Sequence, residues 1–388
     1  MLLTNLKIVL PDTVIESGSL LLDSGRIAGI YAGDAPSYGG RTVNGVGLTA
    51  IPGIIDLHGD MLEREIEPRP GAFFPVDMAV HELDKRLACA GITTAYAALS
   101  FWDVDRPESV RGEVMVQQII RDMGRLRPTL LTDLRIHARF EVSTPKVAPL
   151  LAELIAAGQI QMLSLMDHTP GQGQYRNIEH YVNFIAKWRQ IDPSHVEEEV
   201  RERLSRAGDL MERWAIARDI AALAHDMGLP ISSHDDDTLE KVDLVASMGA
   251  TISEFPVTLE AAEEARRRGM HIIMGGPNAL RGGSHSGNIS AREAIEAGVV
   301  DALASDYHPA TLVHSAFSLA ASGILSLPAA VALVSAGPAV ALGLDDRGWI
   351  AENLNADLAL VEDGPRPRVR ATIRAGVPIY WDAAMARR

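Results

Sequence analysis

The sequence contains a single cysteine, Cys89, among 388 residues. One thiol cannot form an internal disulfide framework, and it cannot build a cysteine-rich zinc site. Because structural disulfides are typical of oxidising compartments, this composition predicts a cytoplasmic protein. Cys89 lies in an apolar, helix-like stretch, so we interpret it as a packing residue rather than a nucleophile.

Basic residues are also scarce: 36 Lys and Arg stand against 51 Asp and Glu, which gives a formal net charge of −15. Nucleic acids and anionic membranes are bound through basic surface, so neither is an expected partner. No stretch of about 18 apolar residues lacks a charge or a Gly or Pro break, and the N-terminus has no basic, cleavable leader pattern. We therefore expect neither a transmembrane helix nor a signal peptide.

The middle of the chain alternates β-rich runs with helix-like segments. Eight such runs predict parallel strands with right-handed crossovers, that is, an α/β fold of the (β/α)8 TIM-barrel type. The runs are Gly53–His58, Gly91–Leu99, Leu134–Glu141, Gln161–His168, Leu229–His234, Ala250–Phe255, Gly269–Gly275 and Val300–Tyr307. The helix-like segments include Met78–Ala90, Arg111–Leu126, Glu197–Met227, Leu259–Arg268 and Ala291–Ala297.

Both ends of the chain alternate apolar and polar residues in the manner of short strands. Asp23-Ser24-Gly25 is a hairpin turn signal between two apolar runs. We expect residues 1–50 and 345–388 to combine into one small β-sandwich domain, with residues 51–344 forming the barrel.

Polar residues end several of the barrel runs. In a (β/α)8 barrel the carboxyl ends of the strands converge on one mouth, where the active site is built. Imidazole and carboxylate suit Zn²⁺, Mn²⁺ or Fe²⁺. The sequence therefore predicts a transition-metal site from residues that share this position: His58, Glu141, His168, His234 and Asp306.

Asp60 follows His58 at a spacing of two, so the two side chains of an extended segment point the same way. Glu141 has two oxygens that could bridge two ions about 3.5–4 Å apart. A salt bridge to Arg139 is the alternative for Glu141. Asp306 could bind one ion and also accept the proton of the attacking water.

Longer strings make the sequence recognisable. The segment Pro52–His58 with a late Ser305-Asp306 resembles the amidohydrolase superfamily, although His58-Gly59-Asp60 replaces the usual His-x-His. Residues 67–71, 166–175, 233–238 and 281–288 are similar to one branch of it, the phosphonate-metabolism hydrolases usually called PhnM. The resemblance covers essentially the whole chain.

The resemblance implies a cytoplasmic enzyme of carbon–phosphorus lyase catabolism. Its activity would be hydrolysis of the phosphoanhydride of α-D-ribose 1-methylphosphonate 5-triphosphate to the 5-phosphate and pyrophosphate. It also implies a binuclear site, with zinc before manganese or iron, held by His58, Asp60, Glu141, His168, His234 and Asp306. The candidate groups for the phosphorylated sugar are Arg64, Arg69, Arg139, Arg176, Arg281, His285 and His308.

Two other functions remain open from the residues alone. An amidohydrolase of the same fold could act on a C–N bond, such as a cyclic amide or an N-acyl group, because metal-assisted hydrolysis serves carbon and phosphorus alike. A non-catalytic ligand-binding barrel would be favoured by broken ligand positions, yet all six are present. The length and apolar composition are compatible with a homodimer.

Overall fold

The computed structural model describes residues 1–33, 35–101, 109–169, 171, 173, 178–206, 210–284, 288–362 and 364–388. In this part of the chain, strands β1 to β16 are Leu2–Val9, Val14–Asp23, Arg26–Ala32, Thr42–Asn44, Thr49–Pro52, Ile54–Gly59, Ile92–Phe101, Asp133–Glu141, Met162–Met166, Ile231–His234, Ile252–Glu254, His271–Gly275, Ala302–Ala304, Leu358–Glu362, Arg368–Arg374 and Val377–Trp381. Helices α1 to α14 are Met61–Ile66, Val76–Cys89, Glu113–Leu126, Ala148–Ala156, Ile178–Arg189, Pro193–Arg206, Leu210–Asp226, Leu239–Ser247, Leu259–Arg267, Gly276–Arg281, Ala291–Glu296, Thr311–Ala321, Leu327–Ala332 and Ala336–Ala341.

Strands β6 to β13 pair in parallel and in chain order. The first and last of them meet at a parallel bridge between Gly59 and Asp306. There the Asp306 amide donates to the His58 carbonyl at 3.0 Å, and the Asp60 amide donates to the Asp306 carbonyl at 2.8 Å. The predicted (β/α)8 barrel is thus confirmed, and the bridge that joins its two ends lies between predicted site residues.

The two ends of the chain build a second, mixed sheet in the order β16-β15-β14-β5-β1-β2-β3, with β4 beside β1. Strand β5 pairs in parallel with β1 and antiparallel with β14, so it joins the N-terminal strands to the C-terminal ones. Leu6, Ile8, Leu358 and Leu360 lie in its separate apolar core. The domain limits at residues 50/51 and 344/345 stay a prediction; β5 continues to Pro52.

Buried strands alternate with capped helices around the barrel. Every residue of β7 is buried, as expected for parallel strands covered on both faces. Helices α8 and α9 begin with the same cap: the hydroxyl oxygens of Thr238 and Thr258 accept from backbone N–H groups three residues later, each at 3.1 Å. Each threonine is the N-cap of its helix, so the loops that follow β10 and β11 end at Thr238 and Thr258.

The segment predicted as a helix, Glu197–Met227, is helical in its described part: residues 197–206 belong to α6 and residues 210–226 to α7. Residues 207–209 lie outside the described part. No helix among the described residues combines the length and the apolar character needed to cross a bilayer.

Candidate active site

The carboxyl ends of the barrel strands bring the predicted polar residues to one mouth. Glu141 and His234 are the last residues of β8 and β10. His168 and Asp306 follow their strands by two residues, and His58 lies one residue before the end of β6. The mouth opens into a cavity of about 580 Å³ whose wall includes His58, Asp60, His234, Asp235, Phe255 and Asp306.

Three of the strand ends share an unusual backbone conformation. Asp235, Phe255 and Asp306 have φ values of 55°, 55° and 56°, in the left-handed region that non-glycine residues seldom occupy. Such a residue costs on the order of 1 kcal/mol and persists where the surroundings fix it, often at functional sites. Here the fixing contacts are hydrogen bonds from their amides to the next strands, at the carbonyls of Glu254, Ile273 and His58.

A first group of possible metal donors consists of His58, His137 and Glu254, all fully buried. Nδ1 of His58 lies 2.5 Å from Oε2 of Glu254, and Nε2 of His137 lies 3.6 Å from Oε1 of the same carboxylate. Nδ1 of His137 is 3.2 Å from the carbonyl oxygen of Leu57, which orients that ring with Nε2 toward Glu254.

A second group consists of His168, His234 and Asp235. Oδ2 of Asp235 lies 2.8 Å from Nδ1 of His234 and 3.5 Å from Nε2 of His168. The other ring nitrogen of His168 is 2.8 Å from Oε2 of Glu141. Glu141 also accepts from the hydroxyl of Ser143 at 2.7 Å.

The two groups adjoin, because the ring centroids of His58 and His234 are 5.3 Å apart. Within the described part of the chain, several buried atoms of the two groups and of the nearby Asp60 have no hydrogen-bond partner: Nε2 of His137, Nε2 of His234, Oε1 of Glu254 and Oδ1 of Asp60. Unpaired buried polar atoms are costly, and imidazole with carboxylate is a donor set that Zn²⁺, Mn²⁺ and Fe²⁺ accept. These residues therefore fit a divalent transition metal.

The electrostatics keep the first two imidazoles neutral. Burial lowers the pKa of His58 well below its ordinary value, and the Arg139 charge lowers it further. Burial likewise lowers the pKa of His137 to about 3, against an opposing effect of the Glu254 charge. A neutral imidazole is the form that binds a metal.

In the second group, ion pairing outweighs burial. Burial disfavours the imidazolium of His168, but hydrogen bonds with Asp235 and Glu141 outweigh it and raise its pKa. Burial also opposes ionisation of Glu141 and Asp235, yet their histidine partners hold both carboxyl pKa values below the ordinary range. Both carboxylates are therefore ionised and available as anionic donors.

Asp60 and Asp306 behave differently from those carboxylates. Burial, together with the neighbouring charge of Asp60, raises the pKa of Asp306 to about 7. The pKa of Asp60 is also raised, chiefly by burial. Two carboxyl groups that do not ionise freely side by side are suited to sharing a cation or a proton.

Two buried networks position these donors. Asp56 accepts from the amide and the hydroxyl of Ser305, at 3.0 and 2.5 Å, and so ties β6 to the residue before Asp306. Nζ of Lys241 donates to the carbonyls of His234 and Asp235 at 2.7 and 3.1 Å. Such supporting contacts fix ligand orientation in metal sites.

The predicted substrate residues separate into three sets. Arg64, Arg139 and Arg281 line the cavity. Arg69 is exposed on a turn and His308 lines a different surface cleft beside Cys89, so the structure does not bring either into the cavity wall. Arg176 and His285 lie outside the described residues. No ion pair between Glu141 and Arg139 occurs among the described contacts, and Glu141 pairs with His168 instead.

The ligand set predicted from the sequence does not include His137, Asp235 or Glu254. Glu254 ends β11, so the same strand-end rule could have found it. His137 lies four residues before Glu141 on β8, so strand alternation places both on one face, together with Arg139. The ligand set named from the sequence stays a prediction.

Comparison with known proteins agrees with this architecture. A family model described as "Amidohydrolase family" matches residues 197–380. The chain belongs to the amidohydrolase family, as its motif strings predict. The alpha-D-ribose 1-methylphosphonate 5-triphosphate diphosphatase of Escherichia coli (strain K12) is 37% identical over 368 residues, which cover 93% of this chain and 94% of that protein.

Solved structures share the fold at low sequence identity. The 5-methylcytosine deaminase from Klebsiella pneumoniae, liganded with 5-fluorocytosine, superposes with a TM-score of 0.67 at 16% identity and covers 98% of each chain. The N-isopropylammelide isopropylaminohydrolase from Burkholderia multivorans ATCC 17616 gives 0.65 at 17% identity, over 97% of each chain. At these identities the likeness establishes the fold alone.

Proposed function

We propose that this protein hydrolyses α-D-ribose 1-methylphosphonate 5-triphosphate to the 5-phosphate and pyrophosphate, as a step of phosphonate catabolism. The observation that carries the proposal is the similarity to the Escherichia coli diphosphatase along nearly the full length of both chains. The arginine-lined cavity beside the donor groups supports it, because such a cavity suits a phosphorylated ligand.

The charge balance of the mouth argues for bound metal. In the described cavity wall, the three carboxyl groups of Asp60, Asp235 and Asp306 stand against three arginines. The wall therefore carries little net positive charge with which to hold a triphosphate. Divalent cations supply positive charge and are the usual means of holding polyphosphates.

The residues proposed to hold the metal are the buried histidines and carboxylates of the two groups. A bound divalent metal would act as a Lewis acid that polarises a phosphoryl oxygen and lowers the pKa of a coordinated water. Zinc is our first choice, with manganese or iron as alternatives, because the donors are nitrogen and oxygen only. Two adjoining groups support a binuclear site.

The remaining steps fall to side chains in the cavity wall. We assign to Asp306, at the closure of the barrel, the role of accepting the proton of the attacking water; Asp306 and Asp60 line the same cavity. Arg64 and Arg281 lie in the same wall and offer their guanidinium groups to phosphate oxygens. Pyrophosphate is a good leaving group, so no further acid is needed.

A substrate panel tests the proposal. Purified protein with its metal content recorded would be incubated with the triphosphate, and separately with cyclic amides and N-acyl compounds, followed by chromatography with mass detection. The proposal requires the 5-phosphate and pyrophosphate in equal amounts. Turnover of a C–N substrate without cleavage of the triphosphate would overturn it. Running the reaction in ¹⁸O-water would also assign the attack, because the label enters the 5-phosphate if the α phosphorus is attacked and pyrophosphate if the β phosphorus is.

We also propose that the protein is cytoplasmic, because it contains a lone cysteine, and that it is a homodimer, on the basis of its size and apolar composition.

A further inference from the structure

Arg139 is a buried arginine inside the barrel mouth. It lies on β8 between His137 and Glu141, on the face that carries both of those donors. Its residue surface is 9% exposed, yet it forms part of the cavity wall. Arg64 and Arg281, which line the same cavity, are exposed.

The guanidinium of Arg139 lacks a charged partner in the described part of the chain. No carboxylate oxygen there lies within 4.0 Å of it, and its described contact is from Nε to the thioether sulfur of Met166 at 3.1 Å. A thioether is a weak acceptor. Burying a charge without a partner costs several kcal/mol, so such an arrangement persists where an anion is to be bound.

The surroundings of Arg139 identify where that anion would lie. Arg139, His58, Asp60 and Asp306 all line the same cavity, so these groups face a common space. Because Nε is occupied by Met166, the two terminal nitrogens remain for a ligand. Their N–H groups form the fork that matches two oxygens of a phosphoryl group.

We propose that Arg139 binds the non-bridging oxygens of the phosphoryl group that is attacked, and that it is the residue that restricts this site to phosphoanhydride substrates. The inference rests on the proposed function and deepens it. Arg64 and Arg281 contact outer groups of the substrate, whereas Arg139 contacts the phosphoryl group whose charge changes in the reaction. The acyl carbon that is attacked in an amide or N-acyl substrate carries a single oxygen, so it does not match the fork as a phosphoryl group does.

Two variants test the inference. Arg139→Met keeps an unbranched, apolar stem and removes the charge; Arg139→Lys keeps the charge and removes the fork. For each we would measure kcat and KM with the triphosphate, pyrophosphate affinity by calorimetry, metal content and the thermal midpoint. Removing an electrostatic donor at the reacting centre costs about 10²–10³ in kcat, and we expect that loss in Arg139→Met.

The Arg139→Lys variant and the thermal midpoints distinguish a phosphoryl-binding role of Arg139 from a structural role. Arg139→Lys should recover only part of the activity and of the pyrophosphate affinity, because a point charge does not replace the fork. Arg139→Met should keep its metal content and should not melt below the parent, because no partner is left unpaired. Arg121→Met, the same change at an exposed position of α3, should behave as the parent.

Unchanged pyrophosphate affinity and kcat in Arg139→Met would overturn the inference while leaving the diphosphatase assignment intact. A lower melting point with loss of metal would also overturn it, in favour of a structural role. If the parent does not cleave the triphosphate, the proposed function fails. In that case pyrophosphate affinity, compared between the parent and Arg139→Met, still decides whether Arg139 binds phosphoryl oxygens.

Discussion

Glu254 offers a sharp test of the metal centre, because it is fully buried and the sequence motifs did not indicate it. Its Oε2 atom lies 2.5 Å from Nδ1 of His58, and its other oxygen faces His137. Glu254→Gln preserves the volume of the side chain and removes the negative charge. The change therefore alters the electrostatics of both imidazoles without opening a cavity.

The expected magnitude follows from this geometry. A hydrogen bond to a charged group contributes about 1.5–3 kcal/mol, and burial places this one at the upper part of that range. Loss of a supporting carboxylate in a metal site costs about 10–100-fold in metal affinity, which corresponds to about 1.4–2.7 kcal/mol. If Glu254 binds the metal directly, the loss exceeds 100-fold.

Metal affinity would be measured by competition with a chelating indicator, and metal content by mass spectrometry after dialysis. Glu260→Gln is the matched control, because it makes the same change at an exposed position of α9. A role of Glu254 in the metal centre is contradicted if Glu254→Gln binds metal as tightly as the parent and the control do. Equal affinity would mean that Glu254 neither binds the metal nor orients His58 and His137.

Two further substitutions probe the framework of the site. Lys241→Met should lower the free energy of unfolding by about 1–3 kcal/mol and weaken metal binding, because the His234 carbonyl loses its buried donor. Chemical denaturation and metal titration measure the two effects. An unchanged free energy of unfolding together with an unchanged metal affinity would contradict this prediction. Arg347→Met, at the opposite end of the barrel, should cost about 1–2 kcal/mol through loss of the 3.0 Å ion pair with Asp133, with little change in metal affinity. Burial opposes ionisation of Asp133, but Arg135 and Arg347 outweigh it and lower its pKa, so the stabilisation is present above the ordinary aspartate pKa of about 3.9 and is lost as pH falls through the folded-state value. Denaturation at several pH values should show the difference between the parent and Arg347→Met shrinking in acid; a difference independent of pH would remove Asp133 as its cause.

Much of the architecture was accessible from the sequence because strand and helix periods differ. The eight β-rich runs overlap the eight barrel strands, and the terminal runs overlap the mixed sheet. Short helices such as α13 and α14 were not predicted, because six residues of mainly small apolar side chains have no helical period to detect.

Part of the candidate site could also be predicted from the sequence, because the ends of the barrel strands could be recognised. Strand-end position selected His58, His234 and Asp306, which the structure brings to one cavity. His137 was not selected, because it lies inside β8 rather than at its end, and the only signal for it is that it shares a strand face with Glu141. The contact between Glu254 and His58 spans 196 residues, and only the closed barrel brings the two together.

The diphosphatase function is tested most directly by phosphorus NMR of the purified, metal-loaded protein with α-D-ribose 1-methylphosphonate 5-triphosphate. The reaction would be followed in parallel for the parent and for Asp306→Asn. We expect the parent protein to convert the triphosphate into pyrophosphate and the 5-phosphate, so that their resonances replace those of the triphosphate. We expect Asp306→Asn to do so at a small fraction of that rate. An unchanged spectrum from the parent, with transition metal confirmed in the protein, would contradict the diphosphatase function. Equal rates from both proteins would contradict the role given to Asp306.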